Sequence, residues 1–543
     1  MTLVLLSTVP SAGVGGTAGT TTQEHDVTVV DECRTIDSPG HYRLGRDIET
    51  TQDTCIRITA SDVVFDGGGH HINNTNLDEF RDLGRLNGDA VLVGGNTAVS
   101  NVTVRDVTGA TWGTLVQLEN VTGAEVAGVE MPAGAGEDYR RVTTGISIAH
   151  STNVSAHDST LQESTIAAAF QVVHASNVRI SNNTIANIDY YDTNYGSAEG
   201  LVVDTATGVT IVNNTFVDAP GGPFGEKGLE VTDSADVRLA RNTFEDSVAA
   251  LGSNTTFLHN TVRDSGIQIH GQDSHVASNT FTSAGLGASG SNVTVAGNAF
   301  TDGSSVSIEE TPDTTGATDL ADSNDSTDTS SAAVSVVRNE FENHSGVIVR
   351  DGDVAVRNNT ITGGHDGRGI YVSDGQNVTV SANTIQNTRQ GISIGDAAVT
   401  VTNNLLTDNE AGVHLRYLGV DVTLVANDIR GNEVGLSIEN GSATRCINVN
   451  RVDVHQNDFS NNSRYAIENE DVRVVNATNN YWGAENGPSS ATAEPLADPQ
   501  TGTLADGDGA AVSASPTEPG VANVRFDPWL AQDPTTVDGN ASA

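Results

Sequence analysis

The chain has 543 residues, of which 36% are apolar and 4% aromatic, a supply too thin to fill a wide globular core but enough for a narrow one of stacked Val, Ile and Ala. Its formal charge is −44, from 70 acidic against 26 basic residues, and Lys227 is its one lysine. Phosphate backbones and anionic membrane surfaces require a basic footprint, so nucleic acid and such membranes are excluded as partners. The acidic residues are spread along the whole chain, which describes a solvating, self-repelling surface held in check by high salt.

Residues 1–22 begin MTLVLLSTVPSAG, a short apolar run followed by small residues. They read as a truncated secretory leader without its basic segment, which points to a secreted or cell-surface protein. Residues 23–90 form an N-terminal cap and the first coils. Cys33 and Cys55 lie close in this block and are able to pair, with Cys446 then left over; three cysteines are too few for a disulfide scaffold. No run is long enough to span a membrane as a helix.

Residues 91–483 repeat. Aligning on Asn-x-[Phe/Ile/Val/Leu] gives Asn183, Asn214, Asn242, Asn260, Asn279, Asn298, Asn339, Asn359, Asn383, Asn404, Asn427, Asn457 and Asn480, with short steps of 18 to 24 residues. Within a step a Gly leads an alternating strand (GIYV, GISI, GVHL, GLSI). A polar turn and a second alternating strand follow, then the Asn and a short third strand. Period-two alternation means strands with one face buried. Three short strands per turn of about twenty residues, with no helical segment, predict a parallel β-helix of about fifteen coils stacked roughly 4.8 Å apart. A β-propeller would need about four strands and 40 or more residues per blade, a period the chain lacks.

The recurring Asn is expected to turn a coil corner in the left-handed backbone region and to bond its amide to the Asn above and below. Its second neighbour is an inward Ile or Phe, so it is no glycosylation sequon. Sequons fall on Asn182, Asn213 and Asn358, one residue earlier, and on Asn101, Asn153, Asn292 and Asn377 at the start of second strands.

Function on a solenoid sits on insertions that protrude from one face. Three share a phase, after the third strand and before the next Gly-led strand: MPAGAGEDYRRVTT (131–144), NIDYYDTNYGSAE (187–199) and VDAPGGPFGEK (217–227). Equal phase gathers Glu137 and Asp138 with Tyr139, Arg140, Arg141, Asp189, Tyr190, Tyr191, Asp192, Tyr195, Glu226 and Lys227. Tyr rings stack on a pyranose, and Arg or carboxylate bonds its hydroxyls or a uronate; Tyr139, Arg141, Tyr190 and Tyr195 are the candidate binding residues. Proton abstraction beside a uronate would use Tyr191 or Lys227 as base and Arg140 or Arg141 as stabiliser. Hydrolysis would use a carboxylate pair from Asp189, Asp192 and Glu226. Set against this, long loops of an acidic chain collect Asp, Tyr and Gly by turn chemistry alone. The insertion 309–331 is acidic and Ser/Thr-rich and reads as disordered, and residues 484–543 as an extended tail that wraps back to dock.

The block DECRTIDSPGHYRLGRDIETTQDTCIRITASDVVFDGGGHHI (31–72) resembles the opening segment of secreted β-helix proteins of salt-loving archaea. The repeats resemble the NosD-like, carbohydrate-binding-and-sugar-hydrolase group of right-handed β-helices with the pectin-lyase-like fold. NNYWGAENGPS (479–489) and NVRFDPWL (523–530) are similar to the end of that group's helical domain. The resemblance implies a right-handed helix, a Cys33–Cys55 staple in the cap, Trp482 and Trp529 over the open end, and structural roles for Asp66 and His70. These motifs are caps and corners, so they identify scaffold rather than function. The polygalacturonase signatures (Asn-Thr-Asp, Asp-Asp, Arg-Ile-Lys) and the Asp-Pro-His-Glu segment of alginate epimerases are absent. GGHDGRGIY (363–371) only loosely resembles a calcium nonapeptide, and calcium is the one cofactor left open. Copper is unsupported: apart from the first residue Met131 is the single methionine, and the histidines lack ligand spacing. The expectation is a carbohydrate-binding β-helix whose partner is a polysaccharide or surface glycan. The alternatives are a polysaccharide lyase or uronate epimerase, and a NosD-like accessory protein.

Overall fold

The computed structural model describes residues 27–76, 88–131, 144–162, 168–186, 199–219, 227–309, 334–344, 346–364, 366–416, 421–439 and 451–534. Among these, strands stack as parallel columns around a narrow core, forming a right-handed parallel β-helix. One coil consists of Gly266–His270, His275–Ala277 and Thr280–Thr282, and the next of Gly285–Ser289, Val293–Ala296 and Ala299–Thr301, paired strand on strand. Alternation buries Ile267, Ile269, Val276 and Phe281 in one coil and Leu286, Ala288, Val295 and Phe300 in the next. Like side chains stack on like: the rings of Phe281, Phe300 and Phe341 lie nearly parallel with centroids 4.6 and 4.7 Å apart.

The first-strand column holds nineteen strands, from Arg34–Ile36 to Gly509–Val512, rather than the fifteen coils expected. At one strand spacing per coil the rod is about 85 Å long. The excess lies at the ends. Coils begin at Val27, where the corner later held by Asn is occupied by apolar residues such as Val107 and Val129, and the tail adds strands to two columns.

All thirteen recurring asparagines are at most 2% exposed and form one continuous ladder. From Asn183 to Asn457, each backbone N–H and each side-chain Nδ2 donates to Oδ1 of the Asn one coil on, and Asn480 ends the ladder with its Nδ2 on the Val454 and Ala477 carbonyls. The N–H bonds measure 2.7–3.0 Å. The Nδ2 bonds measure 2.9–3.1 Å. The second Nδ2 proton goes to a carbonyl of the preceding coil, as from Asn383 to Val356. Ser159 extends the ladder by one rung, its N–H bonding Asn183 Oδ1 at 2.9 Å.

The corner itself differs from the expectation. The left-handed residue is not the ladder Asn but the one before it, with φ of 53–62°: Asn182, Asn213, Arg241, His259, Ser278, Gly297, Arg338, Asn358, Ala382, Asn403, Ala426, Gln456 and Asn479. Only glycine adopts this conformation without penalty, and other residues give up about 1 kcal/mol or more apiece. The buried amide bonds that follow offset that strain, which is why Arg, His, Ala and Gln are tolerated there.

At the N-terminal end Cys33 and Cys55 form a disulfide, and Asp66 accepts from Gly68 N–H and pairs with Arg105 at 2.8 Å. At the other end Trp482 is fully buried with its ring 5.8 Å from Phe459, and Trp529 donates from Nε1 to Glu485 O at 3.1 Å. Asp498 pins the tail by accepting from the N–H groups of Gln500, Thr501, Phe526 and Asp527. Burial pushes its pKa up, but these backbone donors outweigh it and hold the carboxyl below its ordinary value.

Replacing Asn359 by Ala strands the Asn339 N–H and the Val336 carbonyl in the core, and should lower unfolding stability by about 3 kcal/mol. Asn358→Ala, at the exposed left-handed position, should cost only about 1 kcal/mol. Denaturant titration of both variants checks the order of the two effects.

Candidate functional site

The corner between the third strand and the next first strand carries the insertions. Described residues mark their ends: Met131 and Thr144, Ala186 and Glu199, Ala219 and Lys227. Tyr139, Arg140, Arg141, Asp189, Tyr190, Tyr191, Asp192, Tyr195 and Glu226 lie outside the described residues, as do Glu137 and Asp138. The segments' roots do share a corner. Thr144 pairs with Thr114 in the first-strand column, and Glu199 pairs with Lys227. Lys227 is described, and its ammonium is taken up by Glu230 in an ion pair, so a role as base would require that pair to open.

Two further segments leave the same corner. Residues 77–87 connect the third strand His71–Asn74 to the first strand that begins at Asp89, and residues 163–167 connect Thr160–Gln162 to Phe170–Val173. Five segments outside the described residues are therefore rooted at this corner across six successive coils, the exception being the short turn 111–113. Farther along the rod the same corner is sealed. Thr388 Oγ1 donates to Asn409 Oδ1 at 2.7 Å, Asn409 Nδ2 to Asn432 Oδ1 at 3.0 Å, and Asn432 Nδ2 to Asn462 Oδ1 at 3.2 Å. This second amide ladder was not recognised in the sequence, although NEAG (409–412) and NEVG (432–435) repeat its signature.

At the root of 77–87 stands Asp89, stacked in register between Thr54 and Thr114. Burial pushes its carboxyl up to about 6, with Glu119 adding to the rise and Arg57 and Thr114 opposing it. A carboxyl poised there exchanges a proton near neutral pH. Composition gave no signal for it, since an Asp before an apolar strand is ordinary turn chemistry.

A separate groove of about 310 Å³ runs over the first-strand face. It exists because Gly285 and Gly287 present no side chain between the flanking coils; a Cβ on Gly287 would fall 2.0 Å from Gln268 Oε1. Its walls carry Gln268, His270, Ser289, Ser307 and Glu309, the last two bonded to Arg350 at 2.9 and 2.6 Å. Amide, imidazole and hydroxyl groups around a shallow trough match the hydrogen-bonding habit of a sugar.

Four of those seven sequons, Asn101, Asn213, Asn292 and Asn377, bear their amides on neighbours. Asn101 Nδ2 donates to Asp62 at 2.7 Å and Asn377 Nδ2 to Asp353 at 3.2 Å, so the nitrogen a glycan would occupy is engaged. Among the described residues no three His, Cys, Asp or Glu side chains converge as a metal centre requires, and no helix is long and apolar enough to cross a membrane.

A family model described as the right-handed β-helix region matches residues 246–429 and 354–486. A second, described as the periplasmic copper-binding protein NosD, matches residues 94–322. Similar solved structures include the tailspike protein of E. coli bacteriophage HK620 in complex with a pentasaccharide, at 11% identity, TM-score 0.36, and 74% of each chain covered. Another is PfbA, a surface adhesin of Streptococcus pneumoniae, at 13% identity, TM-score 0.32, covering 70% of this chain and 85% of that one. A third is a DFA-IIIase from Arthrobacter chlorophenolicus A6 in complex with DFA-III, at 11% identity, TM-score 0.29, covering 59% and 71%. Overlaps this partial carry no argument about what the chain binds. No curated protein matches it. Columns, corner ladders and family models agree on one assignment: the chain is a right-handed parallel β-helix protein.

Proposed function

We propose that this protein binds an extracellular polysaccharide along the open corner of its rod, without chemical turnover, as a secreted or cell-surface protein. The observation that supports this reading is the rooting of five segments at one corner on six successive coils, while the same corner is sealed by an amide ladder farther on. Consecutive roots about 4.8 Å apart suit an extended polymer better than a small molecule. The tyrosines and arginines of 139–141 and 190–195 would supply stacking and carboxylate contacts.

Asp89 favours a second reading, in which the same corner acts on an acidic polysaccharide by β-elimination or epimerisation. A carboxyl raised to about 6 beside Arg57 has the makings of a proton-transfer group. A third reading, a NosD-like accessory role, follows from the family model over residues 94–322. The described residues do not fit a copper centre, so no step is derived through that metal.

Binding to uronate polymers across a salt series tests the first reading. The Tyr190→Ala/Tyr191→Ala double variant should lose about tenfold or more in affinity, through two lost stacking contacts. Ultraviolet absorbance separates the second reading, because elimination leaves an unsaturated product and binding leaves none.

Asp89 also predicts a pH dependence. Its folded pKa of about 6 exceeds the ordinary 3.8, so the native state holds the proton more tightly than the unfolded chain. Its contribution to stability is full below about pH 4 and is lost as pH rises through about 6. Asp89→Asn should remove that decline from thermal melts recorded between those two values.

A further inference from the structure

On the first-strand face the outward residues stand in files, one per coil. One file runs Ala250, Gln268, Gly287, Ser307, Ile348 and Tyr371, each in register with the next. Gly287 has no side chain to contribute, so the file breaks between Gln268 and Ser307. Its backbone is not left-handed, so its conformation does not call for glycine, and the atoms nearest to a Cβ there belong to the movable tip of Gln268. The file beside it is bare as well: a Cβ on Gly266 or Gly285 would meet nothing within 4 Å. The result is a trough one coil wide that crosses the face along the strand direction, with two strand spacings, about 9.6 Å, between the backbones of its walls. Its volume of about 310 Å³ lies at the small end of the range for ligand sites.

The walls hold polar groups that the fold does not use. The Gln268 amide and the Ser305 hydroxyl have no partner among the described residues. Ser289 Oγ donates to Ile269 O at 3.3 Å and lies 3.1 Å from His270 Nδ1. Nδ1 therefore carries the proton of that bond, and Nε2 is left without a partner. The guanidinium at the rim, by contrast, is engaged: Arg350 bonds Ser307 Oγ at 2.9 Å and Glu309 Oε1 at 2.6 Å. An amide, a hydroxyl and an imidazole nitrogen offer both donors and acceptors, while Glu309 adds a carboxylate to the same rim. That combination suits hydroxyl groups and opposes a ligand carboxylate.

We propose that this trough binds one ring of a neutral sugar, with the apolar face of the ring on the bare backbone at Gly285 and Gly287 and its hydroxyls on Gln268, Ser305 and His270 Nε2. The trough lies three coils beyond Lys227, the last root of the open corner, on residues the corner does not use, so it does not rest on that reading. The two also differ in charge. The corner segments carry arginines that match a uronate, whereas the trough has no free guanidinium or ammonium among the described residues.

Saturation-transfer NMR with the methyl glycosides of glucose, galactose, mannose and xylose tests the assignment, with galacturonic acid as the charged comparator and glycerol as the acyclic one. At least one neutral glycoside should receive saturation from the wild-type protein, and the acid and glycerol should receive none. Gly287→Val fills the trough with a side chain that suits a strand and should weaken that binding about tenfold or more. Gln268→Ala removes one amide, leaves the floor untouched and should weaken it by about the same factor, which reads the site independently if Gly287→Val lowers the melting temperature. The Tyr190→Ala/Tyr191→Ala variant should bind the neutral glycoside as wild type does. Absence of transfer to every neutral glycoside overturns the proposal, as does equal transfer to the acid or to glycerol. Binding that survives Gly287→Val or Gln268→Ala in a protein that melts as wild type also overturns it. Loss of neutral-sugar binding in the tyrosine variant, with the trough variants unaffected, moves the sugar to the corner and overturns it too.

Discussion

In a stack of nearly identical coils, nothing in the strands themselves prevents one coil from sliding by two residues against the next, since Val faces Val in either register. The asparagine ladder removes that freedom. Oδ1 of each Asn accepts both the backbone N–H and the Nδ2 proton of its neighbour, a geometry met only when successive corners superpose. A slip would leave buried amides unpaired in every affected coil, at about 1–3 kcal/mol per orphaned group. With thirteen such corners in one file, register becomes a property of the whole rod.

Fixed corners are what allow loops of unrelated length to leave a rod side by side. Steps of 18 residues and of 41 residues close on the same ladder, because the excess chain is shed at another corner. The remaining corners then divide the rod by use. Where Thr388, Asn409, Asn432 and Asn462 stack, the corner after the third strand is sealed. Between residues 77 and 226 the roots of five longer segments stand at it instead.

How much of this could be read beforehand depends on whether a residue's role leaves a periodic trace. The ladder asparagines recur with an apolar residue two places on, and both features follow from stacking, so the spacing exposes them. The left-handed residue leaves no such trace: Arg241, His259, Ser278, Ala382 and Gln456 share the conformation but no chemistry, and the conformation was assigned one residue too late. The extra coils were hidden because Val107 and Val129 stand where later coils have Asn. The shared phase of three insertions was legible from the grammar of the repeat, whereas 77–87 passed as cap and Asp89 as a turn residue. His414 was the hardest to see. In GVHL it is simply the outward residue of an alternating strand, and its enclosure, shared with Ser147 and Ser393 at the same place in other coils, leaves no trace in the sequence.

The central claim is that side-chain amides, as much as strand pairing, hold this rod in register. Residue-resolved hydrogen–deuterium exchange tests it most directly, at the backbone N–H groups of the ladder asparagines, which have a side-chain oxygen as acceptor in place of a strand carbonyl. The account predicts that these protons exchange as slowly as those of the core strands on either side. Exchange at the rate of exposed turns, with the flanking strands still protected, would contradict it.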